Sequence, residues 1–314
     1  MIAYVARRLG SMLATMLVVG VVVFFVIHAI PGDVTSALLG AEASPAQIEA
    51  LRKRLNLDQP VVVQFASWFG ALLQGDLGQS TYMRTSVLGA IGQRLEPTGL
   101  LTLLATVIAV ALGVGLGVIA AVRHNSIVDY GVMFIAMLGL SIPTFWLGLL
   151  MIMFFAVYLR WLPAAGYVAL AESPIDTFRY LVMPAVALGF SQAAVIARMT
   201  RASMLDCLRE DYVRTAHSKG LRRRRVVLRH ALRNAMLPVL TVIGLSIATM
   251  AGGVVVTETV FNIPGAGRLV VESIQRRDYP VIQGAVVAVA FVYAFINLVV
   301  DLSYLGLDPR VRYS

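Results

Sequence analysis

A small set of polar side chains lies inside long apolar segments of this 314-residue chain. Ser141 and Thr144 flank Pro143, whose missing N–H frees a backbone carbonyl. Ser191 and Gln192 lie in a second apolar segment. These four hydroxyl and amide groups are candidates for lining a polar path through the chain. The alternative, which we favour for these residue types, is hydrogen bonding between neighbouring helices.

The ionisable groups in the apolar segments do not form a catalytic arrangement. Glu258 and Asp301 each lie towards the end of a segment, where we expect water to reach them, and we expect Asp301 to pair with a neighbouring basic residue. His28 also lies near a segment end and needs no special role. The single cysteine, Cys207, excludes an intrachain disulfide and a multi-cysteine metal site. The sequence therefore predicts no catalytic residue, metal or cofactor in this chain.

Three glycines, Gly113, Gly115 and Gly117, invite comparison with a nucleotide-binding loop. They lie inside an apolar segment, and the chain has no Gly-x-x-x-x-Gly-Lys-Ser/Thr sequence to hold phosphates. Small residues four apart are typical of membrane helices that pack closely. We therefore expect these glycines to serve helix packing.

The polar segment 198–236 contains 11 of the 26 Lys and Arg residues. Its first part, 200–220, has helical spacing, and Gly220 is a natural C-cap because glycine adopts the left-handed conformation without strain. The basic run Arg222–Arg225 is explained by contact with anionic lipid headgroups. Contact with lipid headgroups does not explain why a short helix ended by glycine precedes this run. Such a helix favours a rigid projection that contacts another protein.

The composition shows which elements hold these residues. The chain is 59% hydrophobic and 14% charged, with a mean hydropathy of +0.80 and a net charge of +9. This excludes disorder and a disulfide scaffold and disfavours a soluble nucleic-acid binder. We predict an all-α polytopic membrane protein with six transmembrane helices, each with the roughly 20 apolar residues that a bilayer requires. The segments are Leu9–Ile30, Gly99–Val122, Tyr130–Tyr158, Tyr180–Ala197, Leu237–Thr257 and Val281–Leu305.

The distribution of Lys and Arg between the spans sets the expected orientation. With Arg7 and Arg8 inside, the inner segments hold 16 basic and 6 acidic residues, and the outer segments hold 10 basic and 11 acidic residues. Both termini are therefore expected in the cytoplasm. The first span is longer than a signal-peptide core, which favours a retained anchor. The expected division is 1–98, a first helix with an outer loop subdomain; 99–305, a five-helix core with the cytoplasmic loop 198–236; and 306–314, a cytoplasmic tail.

The outer loop between spans 1 and 2 is too long for a simple connection. Ser44, Pro45 and Gln47 match an N-cap, an N1 proline and a capping-box glutamine, which predicts a helix from there to about Leu57. The stretch Val61–Leu73 places aromatic residues on one face, which predicts a second helix at the membrane interface or packed on other outer loops. The loop is a structural cap, a docking surface for a soluble partner, or both.

Two stretches of the inner loop resemble the cytoplasmic coupling loop of ABC-importer permeases, best in the dipeptide/oligopeptide branch. They are residues 211–221, Asp-Tyr-Val-Arg-Thr-Ala-His-Ser-Lys-Gly-Leu, and residues 229–238, Arg-His-Ala-Leu-Arg-Asn-Ala-Met-Leu-Pro. The general family motif, Glu-Ala-Ala followed by three residues and Gly, is here Arg214-Thr215-Ala216 followed by Gly220. These departures are typical of the peptide permeases. Further matches, over nearly the whole chain, are 6–9, 30–33, 74–78, 141–148, 261–269, 277–283 and 301–313.

The resemblance implies one half of a heterodimeric pore with the type I ABC importer permease fold, specifically the first permease of the pair. It implies a paralogous permease subunit, two cytoplasmic ATPase subunits or domains that bind ATP and Mg²⁺, and an extracytoplasmic substrate-binding protein. The chain would be a multi-pass inner membrane protein without an ATPase site of its own.

Transport would follow alternating access, driven by ATPase closure against the short helix. Tyr212 and Val213 would fill a groove of the ATPase, and Arg214 and Lys219 would pair with acids at its rim. The full set implied in coupling is Tyr212, Val213, Arg214, Thr215, Ala216, Lys219, Gly220 and Leu221.

Di- and oligopeptides are the substrates that the resemblance implies first, and glutathione is included. Nickel chelates and haem are alternatives, because in this family the binding protein largely selects the substrate. A secondary transporter would usually show two related halves with ionisable groups near the midplane, and an intramembrane hydrolase would need a nucleophile and a base at similar depth. Neither pattern is evident in the sequence.

Overall fold

A computed structural model of the chain describes residues 2–29, 44–54 and 58–307. This part is almost entirely helical, and its one isolated bridge of extended backbone joins Gln79 and Ser86. The predicted all-α class is therefore confirmed. In chain order the helices are α1 Ile2–Ala29, α2 Pro45–Arg54, α3 Val61–Leu73, α4 Val87–Val122, α5 Ile127–Ser141, α6 Thr144–Tyr158, α7 Pro174–Arg209, α8 Asp211–Ser218, α9 Arg223–Val260, α10 Ala266–Gln275 and α11 Tyr279–Leu307.

Five of the described helices, α1, α4, α7, α9 and α11, are long and apolar enough to cross a membrane, and there are six such elements when the bent pair α5–α6 is counted as one span. The six predicted segments coincide with these elements, apart from Ile30, which lies outside the described residues. The helices are longer than the predicted spans: α4 begins at Val87 and α7 at Pro174. Polar residues continue these helices beyond their apolar stretches, so hydropathy alone does not detect the ends.

The predicted single span 130–158 is broken in the structure. The axes of α5 and α6 differ by 102°. Between them Ile142 has ψ 121° and Pro143 has ψ 135°, both extended conformations. A proline lacks the N–H that a helix requires, and it moves the preceding residue out of the α region. Pro143 therefore ends one helix and starts another.

The chain divides into two compact units. Residues 1–96 and 265–295 form the first, and residues 97–264 and 296–314 form the second. In the second unit, α4, α7 and α9 contribute to one buried apolar core that includes Leu101, Met183 and Val254. Two of the polar candidates, Ser191 and Gln192, lie on α7.

Close approach of α4 and α7 in the second unit depends on two glycines. A Cβ on Gly113 would lie 2.6 Å from Cβ of Ile196, and a Cβ on Gly117 would lie 2.7 Å from the Ala197 carbonyl oxygen. The predicted packing role is confirmed for these two glycines. Gly115 has no heavy atom within 4 Å of its Cβ position, so it has no such role.

The first unit contains the helices predicted for the outer loop. The Ser44 N–H donates to Gln47 Oε1 (2.9 Å) and the Gln47 N–H donates to Ser44 Oγ (3.3 Å), which confirms the capping box. The predicted end near Leu57 lies outside the described residues. α3 has the predicted bounds, and its Trp68 ring lies 5.5 Å from the Phe24 ring of α1.

Candidate functional site

The short helix α8 is separated from α7 by one extended residue. Glu210 has φ −69° and ψ 147°, which ends α7 at Arg209. After α8, Gly220 has φ +75°, and its N–H donates to the His217 carbonyl (2.9 Å). The prediction that Gly220 ends this helix is therefore confirmed.

One face of α8 is buried within the second unit. Val213 is 2% exposed and Ala216 is 6% exposed, and both belong to a cluster with Met204 of α7 and Val226 of α9. Residues three apart share a helix face, which explains their common burial. Val213 is thus unavailable to fill a groove of another protein, contrary to the expectation from the sequence. It attaches α8 to its neighbours instead.

The opposite face of α8 is polar and exposed. Arg214 forms an ion pair with Asp211 (3.3 Å), and their side chains are 75% and 93% exposed. Tyr212 is partly exposed. Partial burial raises the pKa of the Tyr212 hydroxyl, and the nearby Asn234 side chain of α9 opposes that rise. Of the predicted coupling residues, those exposed are Tyr212, Arg214, Thr215, Lys219 and Gly220, and Leu221 is half-buried.

A buried ion pair attaches α7 to residues 122–129, which comprise the last residue of α4, the connection and the first turn of α5 and which we call the α4–α5 turn. The Arg201 guanidinium donates from Nε to Asp129 Oδ1 (2.5 Å) and from a terminal nitrogen to Oδ2 (2.7 Å). The Asp129 side chain is 1% exposed, and its Oδ2 also accepts from the Asn125 N–H (3.0 Å). His124 Nδ1 lies 3.3 Å from the same oxygen.

A second arginine contacts the same turn from beyond α8. Arg223 donates to the Val122 carbonyl (3.2 Å). Arginines on both sides of α8 therefore bind the α4–α5 turn. Neither contact was predicted from the sequence. Asp129, the one acidic residue in the inner segment 123–129, was the available signal.

The four candidates for a polar path lie in varied surroundings. The exposed Ser141 hydroxyl donates to the Met137 carbonyl of its own helix (3.0 Å). Thr144 is the first residue of α6 and is half-buried, as is Ser191 in α7. Gln192 Oε1 accepts from the Thr249 hydroxyl of α9 (3.4 Å). The Gln192 contact supports the interhelical alternative, and a pore-lining role stays a prediction for all four.

Glu258 is more buried than the sequence suggested. It is 0% exposed in α9, and its Oε1 accepts from the Thr98 hydroxyl of α4 (2.5 Å). The expectation that water reaches it is wrong, because the helices of the second unit enclose it. The side chain of Asp301 lies outside the described part. Within that part, no group of three or more His, Cys, Asp or Glu side chains could hold a metal ion.

Two family models match the chain. One describes a binding-protein-dependent transport system inner membrane component and matches residues 113–313. The other describes the N-terminal part of such a membrane component and matches residues 1–99. Together they cover nearly the whole chain.

Three relatives match along their full length. A probable peptide ABC transporter permease of Sinorhizobium fredii is 44% identical over 310 residues, covering 99% of both chains. A glutathione transport system permease of Escherichia coli is 44% identical, and a putative peptide transport system permease of Brucella abortus is 43% identical; each match covers 314 residues and 100% of both chains.

A solved structure shares the fold. A chain of the MetNI methionine ABC transporter, in an inward-facing conformation, matches with a TM-score of 0.58 and 18% identity, over 70% of this chain and 96% of that chain. The predicted ABC importer permease fold is therefore confirmed.

Proposed function

We propose, because the chain belongs to the family of binding-protein-dependent transport system inner membrane components, that it forms half of the translocation pore of an ATP-driven importer of peptides, glutathione included. The observation that carries the proposal is full-length identity of 43–44% to permeases named for peptide and glutathione transport. Like its family, the chain is a multi-pass inner membrane protein.

The proposed assembly adds a paralogous permease subunit, two cytoplasmic ATPase subunits or domains and an extracytoplasmic binding protein. The family description supports the binding protein, and the relatives' description as ABC transporter permeases supports the ATPases. The ATPases would hold ATP and Mg²⁺, since this chain lacks a phosphate-loop sequence. The contribution of this chain is then the transport path and its coupling.

The proposed contact with the ATPases is the exposed face of α8. Lys219 presents positive charge there, and Arg214 can exchange its exposed ion pair with Asp211 for acidic groups of an ATPase. On the other face, Val213 and Ala216 attach α8 to α7 and α9. A push on α8 is therefore delivered to the ends of two spans, and through the flanking arginines to the α4–α5 turn. This attachment is what alternating access requires of a coupling element.

The substitution Gly220→Pro tests the coupling role. Proline cannot adopt φ +75° and has no N–H to donate to the His217 carbonyl, so the end of α8 must rearrange. We expect the variant to insert into the membrane but to lose ATP-driven uptake of a labelled dipeptide or glutathione. Uptake is measured in vesicles that contain the complete importer and are supplied with its binding protein.

Gly220→Asn is the matched control, because asparagine tolerates the left-handed conformation and a Cβ at this position meets no heavy atom within 4 Å. We expect this variant to retain most of the uptake. Normal uptake by Gly220→Pro at wild-type membrane levels would overturn the coupling role. If wild-type vesicles showed no uptake that depends on both ATP and the binding protein, the proposed function itself would fail.

A further inference from the structure

The first unit contains a cleft of about 210 Å³ outside the predicted spans. It lies between α10 with the residues that follow it and the start of α4 with the segment that leads into it. The charged side chains that line it are Arg94, Glu272, Arg276 and Asp278, and the ring of Tyr82 lies beside them. All of them fall in the two segments that the charge distribution assigns to the outer side, 31–98 and 258–280.

One acidic group of the wall is fully engaged by its neighbours. Asp278 is 1% exposed, and its carboxylate accepts from the Ser80 hydroxyl (2.5 Å), the Thr81 hydroxyl (3.1 Å) and the N–H groups of Thr81 (3.2 Å) and Tyr82 (3.3 Å). These bonds fix the 80–82 turn against the end of α10. The donors are uncharged, so Asp278 keeps its negative charge, but its oxygens accept hydrogen bonds from this turn and not from the cleft arginines.

The second acidic group is paired within its own helix. Arg268 Nε lies 2.7 Å from Glu272 Oε1. Arg94 and Arg276 carry the two positive charges of the cleft wall. Neither has a carboxylate within ion-pair distance among the residues that the structure describes.

The two arginines are positioned to receive an anion. Arg276 lies over the Tyr82 ring, with its guanidinium carbon 3.8 Å from the ring centroid, which orients the planar group. Arg94 is half-buried and lies about two turns after the start of α4 at Val87. A half-buried guanidinium favours a charge partner, and a carboxylate matches its hydrogen-bonding fork.

We propose that this cleft binds an acidic side chain of the extracytoplasmic binding protein when that protein docks. The inference rests on the proposed function and identifies a docking contact for its soluble partner. A protein carboxylate suits the cleft better than a transported solute does, because the wall is built from outer segments and not from a span. The cleft admits a side chain, and its exposed Arg276 can be reached from solution.

The experiment measures uptake by the reconstituted importer as the concentration of substrate-loaded binding protein is varied. For Arg94→Gln and Arg276→Gln, we expect the half-saturating concentration of binding protein to rise about threefold to tenfold each. The maximal rate should stay within about twofold of wild type, because a docking contact affects encounter more than turnover. Added salt should weaken docking of the wild type more than docking of the double variant.

Two sets of controls separate charge from fold. Arg94→Lys and Arg276→Lys keep the charge but lose the planar fork, so each should raise the half-saturating concentration less than the corresponding Gln variant does. Lys53→Gln removes a positive charge from the same predicted side at an exposed position of α2 that does not line the cleft, and it should leave the half-saturating concentration unchanged.

The outcomes are distinct. Unchanged half-saturation in both Gln variants would overturn the docking site. A raised KM for substrate at saturating binding protein would assign the cleft to a substrate carboxylate, and an effect present only in vesicles with anionic lipid would assign it to a headgroup phosphate; each overturns the proposal. Uptake by the wild type without binding protein would instead refute the proposed function, whatever the variants do.

Discussion

The Asp129 carboxylate joins the α4–α5 turn to α7 through the Arg201 guanidinium, at 2.5 and 2.7 Å. The substitution Asp129→Asn keeps the size of this side chain but removes its charge, and Arg201, which is 24% exposed, loses its partner. We expect the free energy of unfolding to fall by about 2–3 kcal/mol, because an unpaired charge is left in a largely buried place. Thermal unfolding of the purified chain in detergent measures the loss.

Arg179→Gln is the control for this prediction. Arg179 lies 3.6 Å from Asp176, in a pair whose side chains are 56% and 46% exposed. Water screens such a pair, so its removal should cost less than about 1 kcal/mol. Equal losses in the two variants would show that the Asp129–Arg201 pair is no more than another surface contact.

Residue-level prediction from the sequence succeeds where the cause is local. The Ser44–Gln47 capping box and the left-handed Gly220 each depend on a few neighbouring residues, and both form as predicted. The Asp129–Arg201 pair joins residues 72 positions apart. Its formation depends on how α5 and α7 pack, and residue spacing contains no information about that.

The contact between α4 and α7 supports a prediction at the scale of helices. Gly113→Ala and Gly117→Ala would each place a Cβ within 3 Å of α7 atoms, including backbone carbonyl oxygens that cannot move aside alone. The helices must then separate, which we expect to destabilise the chain by about 1–3 kcal/mol per substitution. Thermal unfolding in detergent is again the measurement.

The sequence provides a matched control between these two glycines. Gly115 lies in the same helix, and its Cβ position is open. Gly115→Ala should be neutral or stabilise the chain by up to about 1 kcal/mol, because alanine favours a helix more than glycine does. If all three substitutions had the same effect, close packing would not be the reason for Gly113 and Gly117.

Helices were predictable as apolar segments, but their breaks and attachments were less so. The sequence shows that Pro143 frees a backbone carbonyl. The 102° bend also requires that both Ile142 and Pro143 adopt extended conformations. Likewise, the spacing of Val213 and Ala216 predicts a shared apolar face on α8. It does not tell whether that face meets this chain or a partner, and the structure assigns it to this chain.

For the whole molecule, the orientation in the membrane stays a prediction from charge. The charge bias lies mainly in segment 198–236, which holds 11 of the 26 basic residues and includes α8. Long outer loops cross the membrane largely regardless of their charge, so the 31–98 segment adds little to it. Both the ATPase contact at α8 and the docking cleft of the first unit require this orientation, because they are assigned to opposite sides.

Cysteine labelling tests that orientation directly. The only native cysteine is first removed by Cys207→Ser, and single cysteines are then introduced by Lys53→Cys in α2 and by Ser218→Cys in α8, both at exposed positions. In right-side-out vesicles, a membrane-impermeant maleimide should label Lys53→Cys, and it should label Ser218→Cys only after the membrane is permeabilised. The reverse pattern would place α8 outside, beyond the reach of a cytoplasmic ATPase. Labelling of both positions in sealed vesicles would place residues 53 and 218 on the same side of the membrane. An even number of spans would then separate them instead of the predicted odd number, and the six-span topology would be wrong.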